Sequence, residues 1–289
     1  MEISDKTYPE LLKQIKGAPK KLYYKGEWPS CSAGKNSIFE NCLAVVGSRR
    51  LTSYGRKMTE ILVSEIAVAG VTIVSGFMYG GDEAAHKAAV EVGGRTIAVM
   101  PCGIDLIHPA YQKDLYQEIL NNHGLIVSEF PGKTSPLNWM YATRNRIVAG
   151  LSKAVLIVEA GLDSGTMITA NYAKKFNRKI FAVPGPLTSD VSKGTAKLIK
   201  EGAAIATEAV DVLKYFNFKL VRSPASHKKD FAPGSGLERK IIDFLKTEPL
   251  TPDDLAGNIG TPVSKVSVSL SLMQLRGLVK QEGDKYYLS

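Results

Sequence analysis

Short apolar runs and longer amphipathic stretches alternate along most of the chain. Seven of the runs are apolar at successive positions, which is typical of parallel strands that are buried on both faces. These candidate strands are residues 43–46, 71–75, 96–100, 125–128, 155–159, 180–183 and 203–206. The helical stretches between them include residues 53–69, 82–92 and 166–176. The alternation predicts an α/β fold with a Rossmann-like, doubly wound, mostly parallel sheet, and it leaves the strand order open.

The pattern changes near the C-terminus. Residues 237–289 contain three helical stretches and then a hairpin with Gly283 and Asp284 at its turn. The helical stretches are residues 238–246, 252–258 and 264–276. This order of elements predicts a small C-terminal winged-helix domain.

The remaining segments set the predicted domain boundaries. Residues 221–236 are rich in proline, glycine and charge, so we predict a linker there and a sheet domain over residues 43–220. Residues 1–42 contain one short helix candidate, around residues 8–14, and are too few for a core of their own. We therefore expect an N-terminal extension that packs on the sheet domain.

The formal net charge of the 289-residue chain is +9, which suggests a polyanionic partner. Residues 237–289 carry equal numbers of cations and anions, so the predicted winged helix contributes nothing to this excess. The first residues lack a secretory signal and no apolar run approaches the roughly 18 residues that span a bilayer, so we expect a cytoplasmic protein without membrane contact. Cys31, Cys42 and Cys102 form no CxxC pair and assemble no zinc site, and we expect neither a metal nor a cofactor.

Glycine-containing loops follow three of the candidate strands, at the edge where a doubly wound sheet binds its ligands. A glycine lets the backbone approach a ligand closely, a hydroxyl donates a hydrogen bond, and an arginine presents a planar fork that fits phosphate. Because the loops converge on one sheet edge, we predict a phosphate-binding site there. Its candidate residues are Gly47, Ser48, Arg49, Ser75, Gly76, Gly165 and Thr166.

Charged residues near these loops allow more than one interpretation. Arg144 and Arg146 flank one polar residue and point to different sides of a predicted helix, so we expect one to face the phosphate site and the other to bind the protein. Glu159 ends a candidate strand and is expected to be a charge partner for one of these arginines. Asp82 and His86 share one helical face, where a structural role is favoured over acid–base catalysis.

No motif for catalysis accompanies the loops. The turn at residues 46–51 is not GxGxxG, which argues against NAD or FAD, and the absence of GxxxxGK[ST] argues against a P-loop ATPase. No serine or cysteine has an evident base beside it at the level of motifs. The sequence therefore indicates a binding site rather than an enzyme.

Short motifs follow one another in a recognisable order along residues 43–213. They include Ala44-Val45-Val46-Gly47-Ser48-Arg49, Val74-Ser75-Gly76, Gly103-Ile104-Asp105, Arg144-Asn145-Arg146, Ser164-Gly165-Thr166 and Ala182-Val183-Pro184-Gly185. The series resembles the DNA-processing protein A family, also called DprA or Smf. The resemblance implies a homodimer that is not an enzyme, binds single-stranded DNA and delivers it to the RecA recombinase during natural transformation.

The resemblance also assigns residues. It implies DNA contacts by the Gly-Ser-Arg loop and by the second loop, and it places Lys113 where family members have a DNA-contacting lysine. With Arg144 included, the predicted DNA-binding residues are Gly47, Ser48, Arg49, Ser75, Gly76, Lys113, Arg144, Gly165 and Thr166. In the family, the end of the sheet domain makes the dimer contact, which corresponds to residues 197–212 here. Tyr79, Tyr111 and Trp139 are candidates for stacking on bases.

Two other functions stay open. The lysine-decarboxylase-like group cleaves nucleoside monophosphates on a similar sheet with a PGGxGT loop, but residues 161–166 lack the paired Pro-Gly-Gly. A transcriptional regulator would depend on the winged helix, whose presumed recognition helix has only Lys265 and Arg276 as cations. Because phosphate neutralisation supplies most nonspecific DNA affinity, we predict an auxiliary role for that domain.

Overall fold

The computed structural model describes residues 1–30, 37–218 and 236–288. Its internal contacts divide the chain into two compact units, Met1–Ser223 and Pro224–Ser289, and each unit is described by itself. The predicted linker, residues 221–236, lies almost entirely outside the described residues, and Cys31 lies outside them as well.

An eight-stranded sheet forms the centre of the first unit. Its strands are β1 (Tyr23–Lys25), β2 (Cys42–Val46), β3 (Thr72–Ser75), β4 (Thr96–Val99), β5 (Leu125–Ser128), β6 (Ala154–Ile157), β7 (Lys179–Ala182) and β8 (Ala204–Ile205). The order across the sheet is β1-β5-β4-β3-β2-β6-β7-β8, and every pair is parallel except β1–β5. The predicted fold class is confirmed, and all seven predicted strands lie within two residues of their expected bounds.

Helices cover both faces of this sheet. They are α1 (Glu10–Lys13), α2 (Ser53–Val68), α3 (Gly81–Val90), α4 (Lys113–Asn121), α5 (Asn138–Leu151), α6 (Gly165–Lys175), α7 (Lys193–Lys200) and α8 (Ala209–Leu213). The alternation within β2 explains the two layers: Ala44 and Val46 join the core beneath α1, α5, α6 and α7, while Leu43 and Val45 join the core beneath α2, α3 and α8. Because both faces are buried, this strand is apolar at every position.

The order in which the chain adds strands to the sheet reverses next to β2. From this central strand the chain proceeds outward through β3, β4 and β5, and it then crosses back to β6, which pairs with the other side of β2. Where the connections that follow two neighbouring parallel strands lead to opposite sides of the sheet, a crevice opens at the carboxyl ends of those strands. The loops after β2 and β6 therefore border a ready-made ligand site.

The N-terminal segment contributes an element that the pattern did not predict. Strand β1 pairs antiparallel with β5 at the sheet edge, with Tyr23 opposite Ser128. Tyr8, Leu12 and Leu22 are fully buried in the core that α5 and α6 also enter. This segment therefore adds both an edge strand and apolar side chains to the sheet unit.

The second unit has the elements of a winged helix. They are α9 (Gly236–Leu245), α10 (Pro252–Ile259), α11 (Val263–Leu275), β9 (Val279–Glu282) and β10 (Lys285–Leu288). Ile241, Leu255, Val266 and Leu270 form its small core together with the hairpin. The hairpin turns at Gly283, whose φ is +66°, as the sequence predicts.

The two described cysteines are buried, as the sequence predicts for cysteines that form no metal site. Cys42 and Cys102 are free and buried, and burial raises the pKa of these thiols to about 12 and about 11, which is the behaviour of small apolar residues. Among the helices of the described residues, none has the length and apolar character needed to cross a bilayer.

Candidate nucleic-acid interface

A cleft of about 420 Å³ opens at the crevice between β2 and β6. Four pieces of chain form it: the loop after β2, the loop after β3, the first turns of α5, and the N-terminus of α6. Seven predicted DNA-binding residues line this one cleft, namely Gly47, Ser48, Arg49, Gly76, Arg144, Gly165 and Thr166. The structure thus brings together residues that are more than a hundred positions apart in sequence.

The Gly-Ser-Arg loop is held by backbone contacts. The Ser48 hydroxyl accepts a hydrogen bond from the Arg50 N–H at 3.0 Å, and the Ser48 carbonyl accepts one from the Gly81 N–H at 3.0 Å. A Cβ atom on Gly81 would lie closer than 3 Å to the backbone of Gly47. The two glycines therefore let the loop after β2 rest directly on the N-terminus of α3.

Arg49 extends from this loop as an exposed cation. Its guanidinium lies over the rings of Tyr79 and Tyr141, at 5.6 Å and 5.4 Å from their centroids. Within the described part of the chain, no carboxylate forms an ion pair with it. Two aromatic faces thus orient a positive charge at the mouth of the cleft and leave its hydrogen-bond donors available to a ligand.

An aromatic recess adjoins the cleft at Arg49. This space of about 560 Å³ is also lined by Tyr79, Tyr111, His108 and Tyr141. His108 Nε2 lies 2.8 Å from the Tyr141 hydroxyl, which fixes the Tyr141 ring beside Arg49. Of the predicted stacking residues, Tyr79 and Tyr111 are exposed in this recess, whereas Trp139 is exposed outside it.

The second loop has a different role for each of its two predicted residues. Ser75 is fully buried and its hydroxyl donates to the Val45 carbonyl at 2.6 Å, so it joins β3 to β2 and does not line the cleft. Gly76 does line it, and a Cβ atom there would collide with Arg144 and Asp82. Gly76 is therefore required where the backbone passes close to the Arg144 guanidinium and the Asp82 carboxylate.

Arg144 is almost completely buried, with 4% of its surface exposed. Its guanidinium donates hydrogen bonds to the carbonyls of Gly76 and Val99 and lies beside Asp82. Burial lowers the pKa of Arg144 to about 10, although the Asp82 carboxylate opposes this change. Burial likewise raises the pKa of Asp82, and Arg144 opposes that shift. Arg144 positions the second loop, and a direct DNA contact by this residue stays a prediction.

Arg146 points to the other side of α5, as its spacing from Arg144 predicts. It donates to the Gly17 carbonyl at 2.9 Å and forms an ion pair with Glu129 at 2.6 Å. The expected pairing of Glu159 with one of these arginines is wrong. The Glu159 carboxylate accepts hydrogen bonds from the N–H and the hydroxyl of Thr52, because the free amides at the start of α2 lie directly above the end of β6.

His86 has the structural role that the sequence favours. Its Nδ1 lies 2.7 Å from the Thr96 hydroxyl, which itself donates to the Ile73 carbonyl at 2.9 Å, so Nδ1 is the donor to Thr96. Burial, and secondarily Arg144, lower the pKa of His86 to about 3. The imidazole is a neutral core group packed on Phe77, a residue of the second loop held at φ +58°.

The N-terminus of α6 forms the opposite wall of the cleft. A Cβ atom on Gly165 would meet no atom of the described residues within 4 Å, so neither their packing nor the backbone conformation requires glycine there. The Gly165 carbonyl accepts a hydrogen bond from Asn145, and Thr166 is buried against the cleft. The Ser164 hydroxyl is buried and has no hydrogen-bond partner within residues 1–30, 37–218 and 236–288. Unpaired donors at a helix N-terminus form an anion-binding arrangement.

Lys113 lies apart from this arrangement. It is exposed at the first position of α4 and lines neither the cleft nor the aromatic recess, although Tyr111 two residues earlier does line the recess. Sequence reasoning missed Tyr141 and Asn138, which line both spaces. Their position on the same helix as Arg144 was the available signal, because residues three apart share a helix face.

Comparison with known proteins identifies the family of both units. Residues 1–217 match the family model of DNA recombination-mediator protein A, and residues 225–285 match the model of the DprA winged helix domain. The chain belongs to the DNA recombination-mediator protein A family. This result confirms the resemblance to DprA and Smf proteins and the winged-helix prediction.

Individual relatives extend over most of the chain. Protein Smf of Escherichia coli K12 is 35% identical over 277 residues, which cover 94% of this chain and 72% of the relative. DNA processing protein DprA of Streptococcus pneumoniae is 39% identical over 216 residues, which cover 75% of this chain and 73% of the relative.

Two solved DprA structures share the fold. The Streptococcus pneumoniae structure has a TM-score of 0.68 and 37% identity, covering 76% of this chain and 74% of that chain. The structure of DNA processing protein A from Helicobacter pylori, which concerns its single-stranded DNA binding mode, has a TM-score of 0.65 and 30% identity, covering 76% of this chain and 100% of that chain.

Proposed function

We propose that this chain binds single-stranded DNA in the cleft between β2 and β6. The observation that carries the proposal is Arg49, a cation without a described acidic partner that two tyrosine rings orient toward the cleft. The relationship to a Helicobacter pylori protein with a single-stranded DNA binding mode supports the same ligand. The basic net charge of +9 supports a polyanion.

The cleft offers separate contacts for phosphates and bases. Arg49 and the N-terminus of α6 face it from opposite sides and present positive charge or N–H donors to phosphate oxygens. Tyr79, Tyr111 and Tyr141 present ring faces in the adjoining recess. Because every base has an aromatic face, stacking on these rings gives affinity without sequence choice. A duplex hides its bases in the helix and gains only the phosphate contacts.

Binding is better supported than catalysis. If the protein were instead a nucleotide-cleaving enzyme, Glu159 would act on a substrate in the cleft. Its carboxylate is 2% exposed and accepts hydrogen bonds from Thr52, and the residue is not part of the cleft lining. Glu159 therefore serves the N-terminus of α2, and substituting it is expected to lower stability rather than remove a turnover.

We further propose that the protein protects incoming single strands and loads RecA recombinase on them during natural transformation and recombination in the cytoplasm. The family description as a recombination mediator supports this role. A test is RecA-driven strand exchange on DNA precoated with a single-strand-binding protein. Faster exchange in the presence of this protein is the expected result, and an unchanged rate would contradict the loading role.

A homodimer through the end of the sheet unit completes the proposal. Leu198, within the predicted contact stretch, belongs to the core, whereas Ile205 in the edge strand β8 is 51% exposed. Tyr215 nearby is 46% exposed. An edge strand with adjacent apolar side chains is a suitable surface for a second copy. Light scattering at micromolar concentration is expected to give a dimer, and a monomer would contradict it.

The proposed ligand is tested by comparing strands of equal length. In one buffer, we expect the protein to bind single-stranded DNA tightly, with strong salt dependence, and to bind the duplex more weakly. A nucleotide-hydrolysis assay on the same preparation serves as the control for catalysis. Equal affinity for both forms would contradict the proposal, and hydrolysis that disappears in Glu159→Gln would favour the enzyme.

A further inference from the structure

A second basic groove lies at the other end of α6. It encloses about 700 Å³ between this helix and the segment that follows α1. The residues that matter for its chemistry are Gln14, Lys16, Tyr172, Lys175, Phe176 and Arg178. Three of these side chains are cationic, and the groove lining contains no acidic residue.

Two of the three cations of this groove, Lys16 and Lys175, are available to a ligand. Lys16 and Lys175 are exposed, and neither forms an ion pair with a carboxylate within the described ranges. Arg178 donates through Nη2 to the carbonyls of Leu11 and Gly150, which anchors it, while its Nε–H is buried and has no partner among the residues that the structure describes. A buried donor without a partner is uncommon in a folded protein and here belongs to a residue of the groove lining.

The aromatic side chains of the groove form an ordered pair. Tyr172 and Phe176 stack with centroids 5.7 Å apart and planes inclined by 21°, and the Lys175 ammonium lies 5.7 Å from the Tyr172 centroid. The carbonyl of Tyr172 at this helix end already accepts the N–H of Phe176, which limits repulsion of an anion. Cations beside a flat aromatic surface are the features that bind a phosphodiester chain and a stacked base.

The same helix connects this groove with the cleft. α6 has eleven residues, so its ends lie about 16 Å apart along the axis. Ile168, Asn171 and Lys175 are exposed along the helix; Ile168 lines the cleft and Lys175 lines the groove. A chain held in the cleft therefore has a continuous exposed surface to follow.

We propose that the groove is a second nucleic-acid subsite, which binds the part of a single strand that leaves the cleft along α6. The inference rests on the proposed function, because it assumes that the first part of the same strand occupies the cleft. Lys16 and Lys175 face the phosphates, Arg178 stays bound to the two carbonyls at the base of the groove, and Tyr172 with Phe176 offers a surface for one base. The occupant is a phosphodiester strand rather than an acidic peptide. A strand carries both phosphates for the lysines and flat bases for the aromatic pair, whereas a carboxylate side chain offers only the negative charge.

The test uses oligothymidylates of increasing length and the double variant Lys16→Ala/Lys175→Ala in the full chain. Short strands that fill only the cleft are expected to bind the variant as they bind the wild type. Strands long enough to reach the groove are expected to bind it roughly three- to thirtyfold more weakly, with a smaller salt dependence, because two exposed charge contacts are lost. Arg56→Ala/Lys57→Ala, at two exposed positions on α2 of the opposite layer, removes the same charge and serves as the matched control.

Two results would overturn the subsite. The double variant could match the control at every length, which would leave the groove to an acidic peptide, or it could weaken all lengths equally, which would indicate a general charge effect. Failure of the proposed function is distinguishable, because Arg49→Ala would then leave the binding of the shortest strands unaffected.

As an independent measurement, 5-iodouracil is placed at successive positions along a long strand. We expect it to crosslink to the peptide that contains Tyr172 at a position distant from the one that crosslinks to Tyr79. Crosslinking of Tyr172 at no position would contradict the proposal.

Discussion

The backbones of Gly47 and Gly81 touch because neither residue has a side chain. A Cβ atom on Gly47 would lie 3.1 Å from the Gly81 Cα, and one on Gly81 would lie closer still to three backbone atoms of Gly47. The Gly81 N–H also donates to the Ser48 carbonyl at 3.0 Å. The loop that carries Arg49 is thus fixed on the first turn of α3, and the position of its guanidinium depends on this contact.

Gly81→Ala is expected to separate the two backbones. A methyl group there has only backbone atoms to displace, so we expect a loss of about 1–3 kcal/mol in the free energy of unfolding despite the better helix propensity of alanine. Affinity for single-stranded DNA should fall as well, since the Arg49 loop moves. Urea unfolding and fluorescence anisotropy measure the two effects, and a variant that is as stable as the wild type would refute the contact.

Gly165→Ala is the matched substitution at the opposite wall of the cleft. Its new methyl group would meet no atom within 4 Å in the part of the chain that the structure describes, so stability should change by less than about 0.5 kcal/mol. If DNA approaches this backbone closely, affinity should fall by about tenfold, the effect of one misplaced methyl group in a binding pocket. Unchanged affinity would show that the ligand does not contact the start of α6.

Arg144→Met tests the buried guanidinium beneath the second loop. Removing the guanidinium leaves the buried carbonyls of Gly76 and Val99 without a donor and the half-buried Asp82 carboxylate without its neighbouring cation, so we expect a loss of about 2–5 kcal/mol in unfolding free energy. Adding Asp82→Asn should restore part of the loss, because the unpaired charge is then absent. Additive losses in the two substitutions would contradict the coupling between these residues.

His86 predicts an acid-dependent loss of stability. Its ordinary pKa of 6.5 falls to about 3 in the folded protein because of burial, so between these values the unfolded chain binds a proton that the folded chain does not. Lowering the pH through this window should therefore destabilise the fold, with a slope of up to about 1.4 kcal/mol per pH unit from this residue. The raised pKa of Asp82 acts in the opposite direction.

The variant His86→Gln isolates the histidine in this measurement, because Asp82 is present in both proteins. Unfolding free energies between pH 7 and pH 5 should fall less steeply in the variant than in the wild type. Parallel pH profiles would mean that the folded protein protonates His86 as readily as the unfolded chain.

The sequence predicts much of the fold because its central strands are buried on both faces and are therefore apolar throughout. Strand β1 escaped this reasoning, since three residues, two of them exposed, gain their place only by pairing with β5. The loops of the site were predictable from their glycines. The partner of Glu159 was not, because it depends on how the end of β6 faces the start of α2. The burial of Arg144 likewise depends on the packing of α5 over the second loop.

The most direct test of the account compares Arg49→Ala with deletion of residues 221–289. Arg49→Ala removes a bidentate, charge-assisted hydrogen bond to phosphate, so single-stranded DNA binding should weaken by roughly ten- to a hundredfold, about 1.5–3 kcal/mol. The slope of log K against log salt concentration should also decrease by about 0.7. Arg49→Lys should recover only part of the affinity, because lysine lacks the planar fork. The deletion should cost much less, since the winged-helix unit carries no net charge in residues 237–289. Binding abolished by the deletion and unaffected by Arg49→Ala would place the DNA site outside the cleft.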